Sequence, residues 1–268
     1  MYSRKIVDKA LALHTEGWTQ QRIASTCGVS QRAVSHWINS RRRNLATELK
    51  RIGYCPRCST AMIHEEAYAY LLGAYLGDGH ITEFKRKPGL FVLWITYDSA
   101  YPQLVTYCHA AMGAVFPVKP FTVQRKGCTA IKAYSKHWAC IFPQHGPGKK
   151  HERTIALEPW QQSIVDAHPE ALVRGLIHSD GCRLINRVRK KLGSGDVTHY
   201  KYYEYPRYQF VNTSSGIVDI LLRALDRLNI DWKLHVSKRE PVYQDAYIVS
   251  ISRKEAVARM DSFIGAKC

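Results

Sequence analysis

The chain is short of negative charge and of long apolar runs. Its 268 residues hold 22 Asp and Glu against 39 Lys and Arg, a formal charge of +17. That excess argues against an acidic tail protein and for a polyanionic partner, either nucleic acid or an anionic membrane surface. No apolar run approaches the roughly 18 residues that a membrane helix needs, so no span is expected and nucleic acid is the leading partner. The first residues, Met1 to Gly17, scatter charges among apolar positions and show no basic head followed by an apolar stretch. No secretory signal is read there, and the expected location is the cytoplasm, nucleoid-associated in a bacterium. Cysteine is also sparse, 8 in all, too few at this length for a disulfide scaffold. Cys27, Cys108, Cys128, Cys140, Cys182 and Cys268 read as small buried hydrophobes. Cys55-Pro56-Arg57-Cys58 differs, because its spacing suits two thiolates on one tetrahedral Zn²⁺. A complete site needs further ligands and His64 is the nearest candidate, so a plain turn with two thiols is the competing reading.

What the chain does have is a hydrophobic fraction of 46%, enough for a sizeable core. From Ile6 to Ile38 apolar residues recur at helical spacing with two breaks. Ile6, Ala10 and Leu13 fall on one face of a first helix that stops at Gly17. Thr19 is placed to cap a short second helix, Gly28 stands at a tight turn, and Ser30 can cap a third helix carrying Val34 and Trp37. Two helices joined by a short turn containing glycine resemble the helix-turn-helix unit. On that reading Gln31, Arg32, Ser35, His36 and Asn39 face a DNA major groove, and Arg41, Arg42 and Arg43 reach phosphates. The bland alternative is a solvated polar face on a small helical domain.

The most informative feature is an internal repeat. Leu71-Leu72-Gly73-Ala74-Tyr75-Leu76-Gly77-Asp78-Gly79 matches Val173-Arg174-Gly175-Leu176-Ile177-His178-Ser179-Asp180-Gly181 position by position, and both end in Asp-Gly. After each copy come an apolar strand (Leu90 to Tyr97; Tyr208 to Thr213), a capped helix (Ser99 to Met112; Ser215 to Leu228), further strands and a last helix, a common unit αββαββα. Gly73 with Gly77, and Gly175 with Ser179, put small residues on one helix face, where two such helices can approach closely. Asp78 and Asp180 then lie side by side at the helix C-termini. That is the unfavourable end of the dipole for an anion, and the two carboxylates also repel each other. A hard divalent cation removes both problems, with the carbonyls of Gly77 and Ser179 available beside the carboxylates.

These paired motifs resemble those of the LAGLIDADG homing endonucleases in their single-chain, two-motif form, over about three quarters of the chain. The resemblance implies an α+β fold: a duplicated αββαββα unit of two pseudo-symmetric halves with saddle-shaped antiparallel sheets, beside a small all-α helix-turn-helix domain. The expected divisions are 1–43 for that domain, 44–63 for a linker with the CxxC turn, 64–160 for the first repeat and 161–268 for the second. It further implies a monomer with internal two-fold pseudosymmetry, Mg²⁺ or Mn²⁺ at Asp78 and Asp180, and double-stranded DNA as partner. His178 stands where the family has a further acidic residue, and Gly77 replaces its usual alanine. The family also places a basic residue on the last strand of a repeat, and Lys132 is the best match here, with Ser250 its counterpart.

Period-two reading of the strands adds a candidate DNA face. Arg183, Arg187, Arg189 and Lys191 alternate with apolar residues, and so do Lys233, His235 and Arg239. The expected activity is a site-specific, metal-dependent double-strand DNA endonuclease. The alternative is a DNA-binding transcription regulator on the same scaffold that does not cut.

Overall fold

The computed structural model describes residues 2–39, 55–59, 61–115, 117–192, 199–239, 244–265 and 267. The chain divides into two compact units, Met1–Ala61 and Met62–Cys268. The first unit contains helices α1 (Arg4–Thr15), α2 (Gln20–Cys27) and α3 (Gln31–Asn39). Val7, Ala10, Ile23, Ala24, Val34 and Trp37 form its core, with Ile6 and Leu13 packed against them half-buried. The Thr19 hydroxyl accepts from the Arg22 N–H at 3.4 Å and the Ser30 hydroxyl from the Ala33 N–H at 3.2 Å, so both helix starts are capped. Between them Gly28 adopts φ 64°, a left-handed conformation that an L side chain would resist.

The second unit repeats one topology twice. Its first half runs α4 (Glu65–Leu76), β1 (His80–Glu83), β2 (Phe91–Asp98), α5 (Pro102–Val115), β3 (Phe121–Arg125), β4 (Cys128–Ser135) and the short α6 (Trp138–Ile141). A single 3-10 turn at Lys150–Glu152 and helix α7 (Pro159–Ala167) lead to the second half. That half runs α8 (Pro169–Asp180), β5 (Gly181–Leu192), β6 (His199–Asn212), α9 (Ser215–Arg227), β7 (Lys233–Ser237), β8 (Ala246–Ile251) and α10 (Lys254–Ile264). Each half builds a four-stranded antiparallel sheet, ordered β1-β2-β4-β3 and β5-β6-β8-β7. The fold is therefore α+β, a duplicated αββαββα unit.

The two halves meet through α4 and α8. Every residue of α4 from Tyr68 to Leu76 is buried, which its apolar composition on all sides permits only inside a core. Gly73 and Gly175 are where the helices touch. A Cβ on Gly73 would lie 2.5 Å from the Leu172 carbonyl oxygen, and one on Gly175 would lie 2.2 Å from that of Tyr70. Such contact orients the two helix C-termini to the same end of the unit and brings their aspartates together. One face of each sheet packs on helices, with Leu93, Ile95, Phe210 and Val249 buried, and the opposite face is left open. No helix among the described residues is long and apolar enough to cross a membrane.

Candidate functional site

Helix α4 stops at Leu76 and α8 runs on to Asp180, yet the glycine after each aspartate turns the chain back in the same way. The chain doubles back over the last helical turn so tightly that a Cβ on Gly79 would lie 2.5 Å from Tyr75 Cα, and one on Gly181 would lie 2.7 Å from Ile177 Cα. Only glycine tolerates that approach, and the turn it allows points the preceding aspartate outward at the helix end. A Cβ on Gly77 would lie 3.1 Å from Asp180 Oδ2, so the second carboxylate reaches across to the first motif's turn. Asp180 also accepts a hydrogen bond from Asn212 Nδ2 at 2.7 Å, from the end of β6. The register aligns Asn212 with Tyr97, a fully enclosed phenol in the first half, so the two carboxylates have different neighbours.

Asp78 is exposed at its rim and Asp180 half-buried. Enclosure by the helix ends, and next the charge of Asp180, push the Asp78 carboxyl up to about 6. Burial raises Asp180 as well, opposed by the Asn212 hydrogen bond and by nearby lysines. The cations that act on both carboxylates are Lys150 and Lys267, which sequence reading did not single out. Lys150, from the 3-10 turn, donates Nζ hydrogen bonds to the carbonyls of Tyr75 (2.5 Å), Gly77 (2.8 Å) and Gly79 (2.8 Å). Lys267, following α10, donates to Ile177 (3.3 Å), His178 (2.9 Å) and Ser179 (2.8 Å). The two lysines thus treat the two motifs alike, each bridging three carbonyls at or just beyond a helix C-terminus. Neither sits in a recognisable sequence pattern. Their only signal is position, since each follows the final helix of its repeat. Burial among these groups pulls the Lys150 ammonium down to about 8.

Lys132 is buried on the first sheet and acts, with Lys150, on His80, two residues after Asp78. It is on β4, its Nζ 3.4 Å from the centre of the Trp94 ring, and Trp94 in turn stacks on His80. His178 is not in the site. It is fully buried between the motif helices, its Nε2 donating to Ile264 O at 2.9 Å and its Nδ1 accepting from the Tyr70 hydroxyl at 3.1 Å. Burial holds it near 4, and hence neutral. The acidic residue that the resemblance would put at this position is replaced by a core hydrogen bond.

The open face of each sheet can be read from the register. His80, Trp94, Lys132 and Phe121 form one row across the first sheet, and Cys182, Gln209, Ser250 and Lys233 the corresponding row across the second. Lys233 and His235 are exposed on this open face. Arg183 is not: it belongs to the helix side, where Nε and Nη2 donate to Asp261 of α10 at 2.9 and 3.0 Å and the Tyr208 hydroxyl joins them at 2.6 Å. Alternation alone could not distinguish the two faces. β6 pairs with β8 only from Tyr208 to Asn212, so beyond that point β5 and β6 continue as a two-stranded ribbon. On it Arg187 pairs with Glu204 at 3.4 Å and lies 4.5 Å from the Tyr202 ring, and Arg189 lies 4.3 Å from Tyr200. The ribbon's other side carries Tyr203 together with Lys190 and Lys201, two lysines that sequence reading passed over. Arg239 is exposed, its N–H donating to Asp245 at 3.2 Å.

In the first unit Gln31, Arg32 and Asn39 are exposed, and Ser35 and His36 lie on the same short helix α3 around its buried Val34 and Trp37. Arg41, Arg42 and Arg43 lie outside the described residues, as does the side chain of Lys191. Cys55 is buried and Cys58 exposed, in a turn closed by the Cys58 N–H on the Cys55 carbonyl at 3.1 Å. Burial raises the Cys55 thiol above its ordinary range. The expectation of buried cysteines fails for Cys182, which is exposed because it sits on the open face of β5. Cys268 lies outside the described residues.

No protein-family model and no curated protein matches the chain. Among solved structures, the chain is similar to variants of the homing endonuclease I-DmoI, with 16% identity, a TM-score of 0.48, and coverage of 74% of this chain and 89% of that one. It is similar to the LAGLIDADG meganuclease I-AabMI bound to uncleaved DNA, with 12% identity, a TM-score of 0.42 and coverage of 73% and 82%. The N-terminal LAGLIDADG domain of WhiA gives 15% identity, a TM-score of 0.44 and coverage of 84% and 94%.

Proposed function

We propose that this chain is a LAGLIDADG-type DNA endonuclease that cuts both strands of a specific duplex site with divalent metal, and that its first unit is a helix-turn-helix module adding affinity. The observation that carries the reading is the crowding of Asp78 and Asp180 at two matched helix ends, at a cost to both carboxylates. A fold gains nothing from such a pair, whereas a cation site needs it. The donor set fits a hard cation: carboxylate oxygens of Asp78 and Asp180 with the carbonyls of Gly77 and Ser179, and no sulfur or imidazole among them. When bound, Mg²⁺ or Mn²⁺ supplies Lewis acidity and an ionised water at neutral pH.

The chain's own groups do the rest. Asp78 and Asp180 would each hold a divalent ion, so that each strand of a duplex on the open faces would meet one carboxylate. Asn212 fixes the rotamer of Asp180 through its amide. Lys150 and Lys267 bring positive charge to where the phosphates would lie, beside Lys132 in the open-face row of the first sheet. Lys233, His235, Lys190 and Lys201 carry the basic lining of the open face and ribbon, with Arg187, Arg189 and Arg239 reaching backbone phosphates farther out. Contacts of this kind give salt-dependent affinity, while base-edge contacts give the site.

The test is cleavage of a randomised duplex library with Mg²⁺ and with Mn²⁺, side by side with gel-shift affinity. The parent cuts. Asp78→Asn and Asp180→Asn each bind DNA but do not make double-strand breaks. Full cutting by either variant would overturn the assignment. A second reading, a regulator that binds DNA without cutting, is favoured by one observation: the motif carbonyls are already satisfied by ammonium groups. Sequence-specific binding without cleavage in either metal would decide for it.

A further inference from the structure

The oxygens that would receive a metal are engaged. Gly77 O lies 2.8 Å from Lys150 Nζ and Ser179 O lies 2.8 Å from Lys267 Nζ. The arrangement occurs twice, once on each motif, from two lysines that come from unrelated local structure: a 3-10 turn and the segment after the last helix. Each ammonium bridges three carbonyls of one helix end, and each stands close enough to Asp78 and Asp180 to act on both.

We infer that Lys150 and Lys267 are tethered place-holding cations: they occupy the metal positions of the free protein, and a divalent ion enters only by displacing them. The inference rests on the metal site proposed above and adds a property to it. The physical argument is exclusion. A carbonyl oxygen that accepts an ammonium hydrogen bond at 2.8 Å and also binds a divalent ion at roughly 2.1–2.6 Å holds the two cations only about 4 Å apart. Like charges at that separation repel by several kcal/mol at the effective dielectric of a partly buried site. The lysine side chain is long and flexible, so the economical response is for it to swing out while its stem stays anchored. The placement also explains how two carboxylates at the wrong end of two helix dipoles are tolerated without a metal, since the ammonium groups supply the missing positive charge. Weak metal binding in the free protein follows. Duplex phosphates strengthen it, because they offer the displaced ammonium groups a new partner.

The experiment is calorimetric titration of the full chain with Mn²⁺ alone, without DNA. Lys150→Met and Lys267→Met keep most of the stem packing and remove the charge, and each should bind Mn²⁺ at least tenfold more tightly than the parent. Both should melt below the parent when no metal is present, and recover part of the difference when Mn²⁺ is added. Lys150→Arg keeps the cation and should keep the parent's weak affinity, which separates charge from packing, and circular dichroism of each variant establishes its fold. Equal or weaker Mn²⁺ binding by both Met variants would overturn the inference while leaving the nuclease reading intact. Absence of Mn²⁺ binding in parent and variants, together with absence of cutting, would overturn both.

Discussion

Ser179 occupies the space that a side chain at Gly77 would need. A Cβ on Gly77 would lie 2.0 Å from Ser179 Oγ and 2.4 Å from Ser179 Cβ, and the hydroxyl that fills this space is fixed by its bonds to Gly175 O at 3.1 Å and Leu176 O at 2.9 Å. The departure from alanine at position 77 is therefore matched on the facing helix. Gly77→Ala should destabilise the second unit by about 1–3 kcal/mol, the usual cost of overpacking. Adding Ser179→Gly should recover most of that loss, and thermal melts of the single and double variants measure it.

The halves, their sheets and the side-by-side placement of the Asp-Gly pairs were legible because a repeated pattern constrains itself: a reading that fits both copies has been tested once already. The close approach at Gly73 and Gly175 followed from residue size alone. Lys150 and Lys267 were not legible, since what places them is a three-dimensional meeting of chain segments far from the motif, and a lysine in a loop carries no periodic signal. Arg183 shows a second limit. Period two separates the faces of a strand but does not say which face meets the helices, and only the Asp261 contact settles it. His178 shows a third, because sequence marks it only as a departure from the resemblance, and its two partners, Tyr70 and Ile264, are what place it in the core.

The two faces of the second sheet should separate in binding experiments. Arg183→Ala breaks a half-exposed ion pair with Asp261 and should cost stability by no more than about 1 kcal/mol, with DNA affinity unchanged. Lys233→Ala and the double variant Lys190→Ala, Lys201→Ala should leave the melting temperature unchanged. They should weaken DNA binding and reduce the salt slope by roughly one unit for each phosphate that is no longer neutralised. A drop in affinity in Arg183→Ala alone would reverse the assignment of faces.

Removal of residues 1–43 should leave the second unit folded, since its repeats have their own core. DNA binding should weaken and log K should fall less steeply with log salt, because the deleted part takes its phosphate-binding groups with it. An unchanged slope in gel shifts across a salt series would deny the first unit any share in binding.

The turn at Cys55 and Cys58 supplies two of the four ligands that a closed zinc site takes, so it should hold zinc only where other residues complete the set. One thiol is buried and one exposed at a ligand spacing, and a buried thiol is reactive only when a metal or cation stabilises its thiolate. Elemental analysis of the purified full chain decides this: about one zinc per molecule, lost in Cys58→Ser, marks a completed site. A zinc-free parent whose melting temperature is unaffected by Cys58→Ser would leave a plain turn.

The contribution of Asp78 to stability without metal should fall as pH rises from about 4 to about 6. The folded Asp78 carboxyl titrates near 6, whereas an unfolded aspartate titrates near 3.8. Between those values the folded chain binds more protons at this group than the unfolded chain, so raising the pH favours unfolding. The contribution is fully present below the unfolded value and is lost once the pH passes the folded one. Asp180 moves in the same direction and adds to the trend, while His178, held near 4 by burial, works against it, because acid must charge a histidine that the fold keeps neutral. Asp78→Asn removes the titrating group, so its melting temperature should exceed that of the parent at pH 7 and equal it near pH 4, measured in the presence of chelator. With saturating Mg²⁺ and duplex the parent's slope should flatten, because a bound cation favours the ionised carboxylate. An Asp78→Asn variant whose melting temperature follows the parent's pH profile throughout would show that this carboxylate is not under strain in the folded chain.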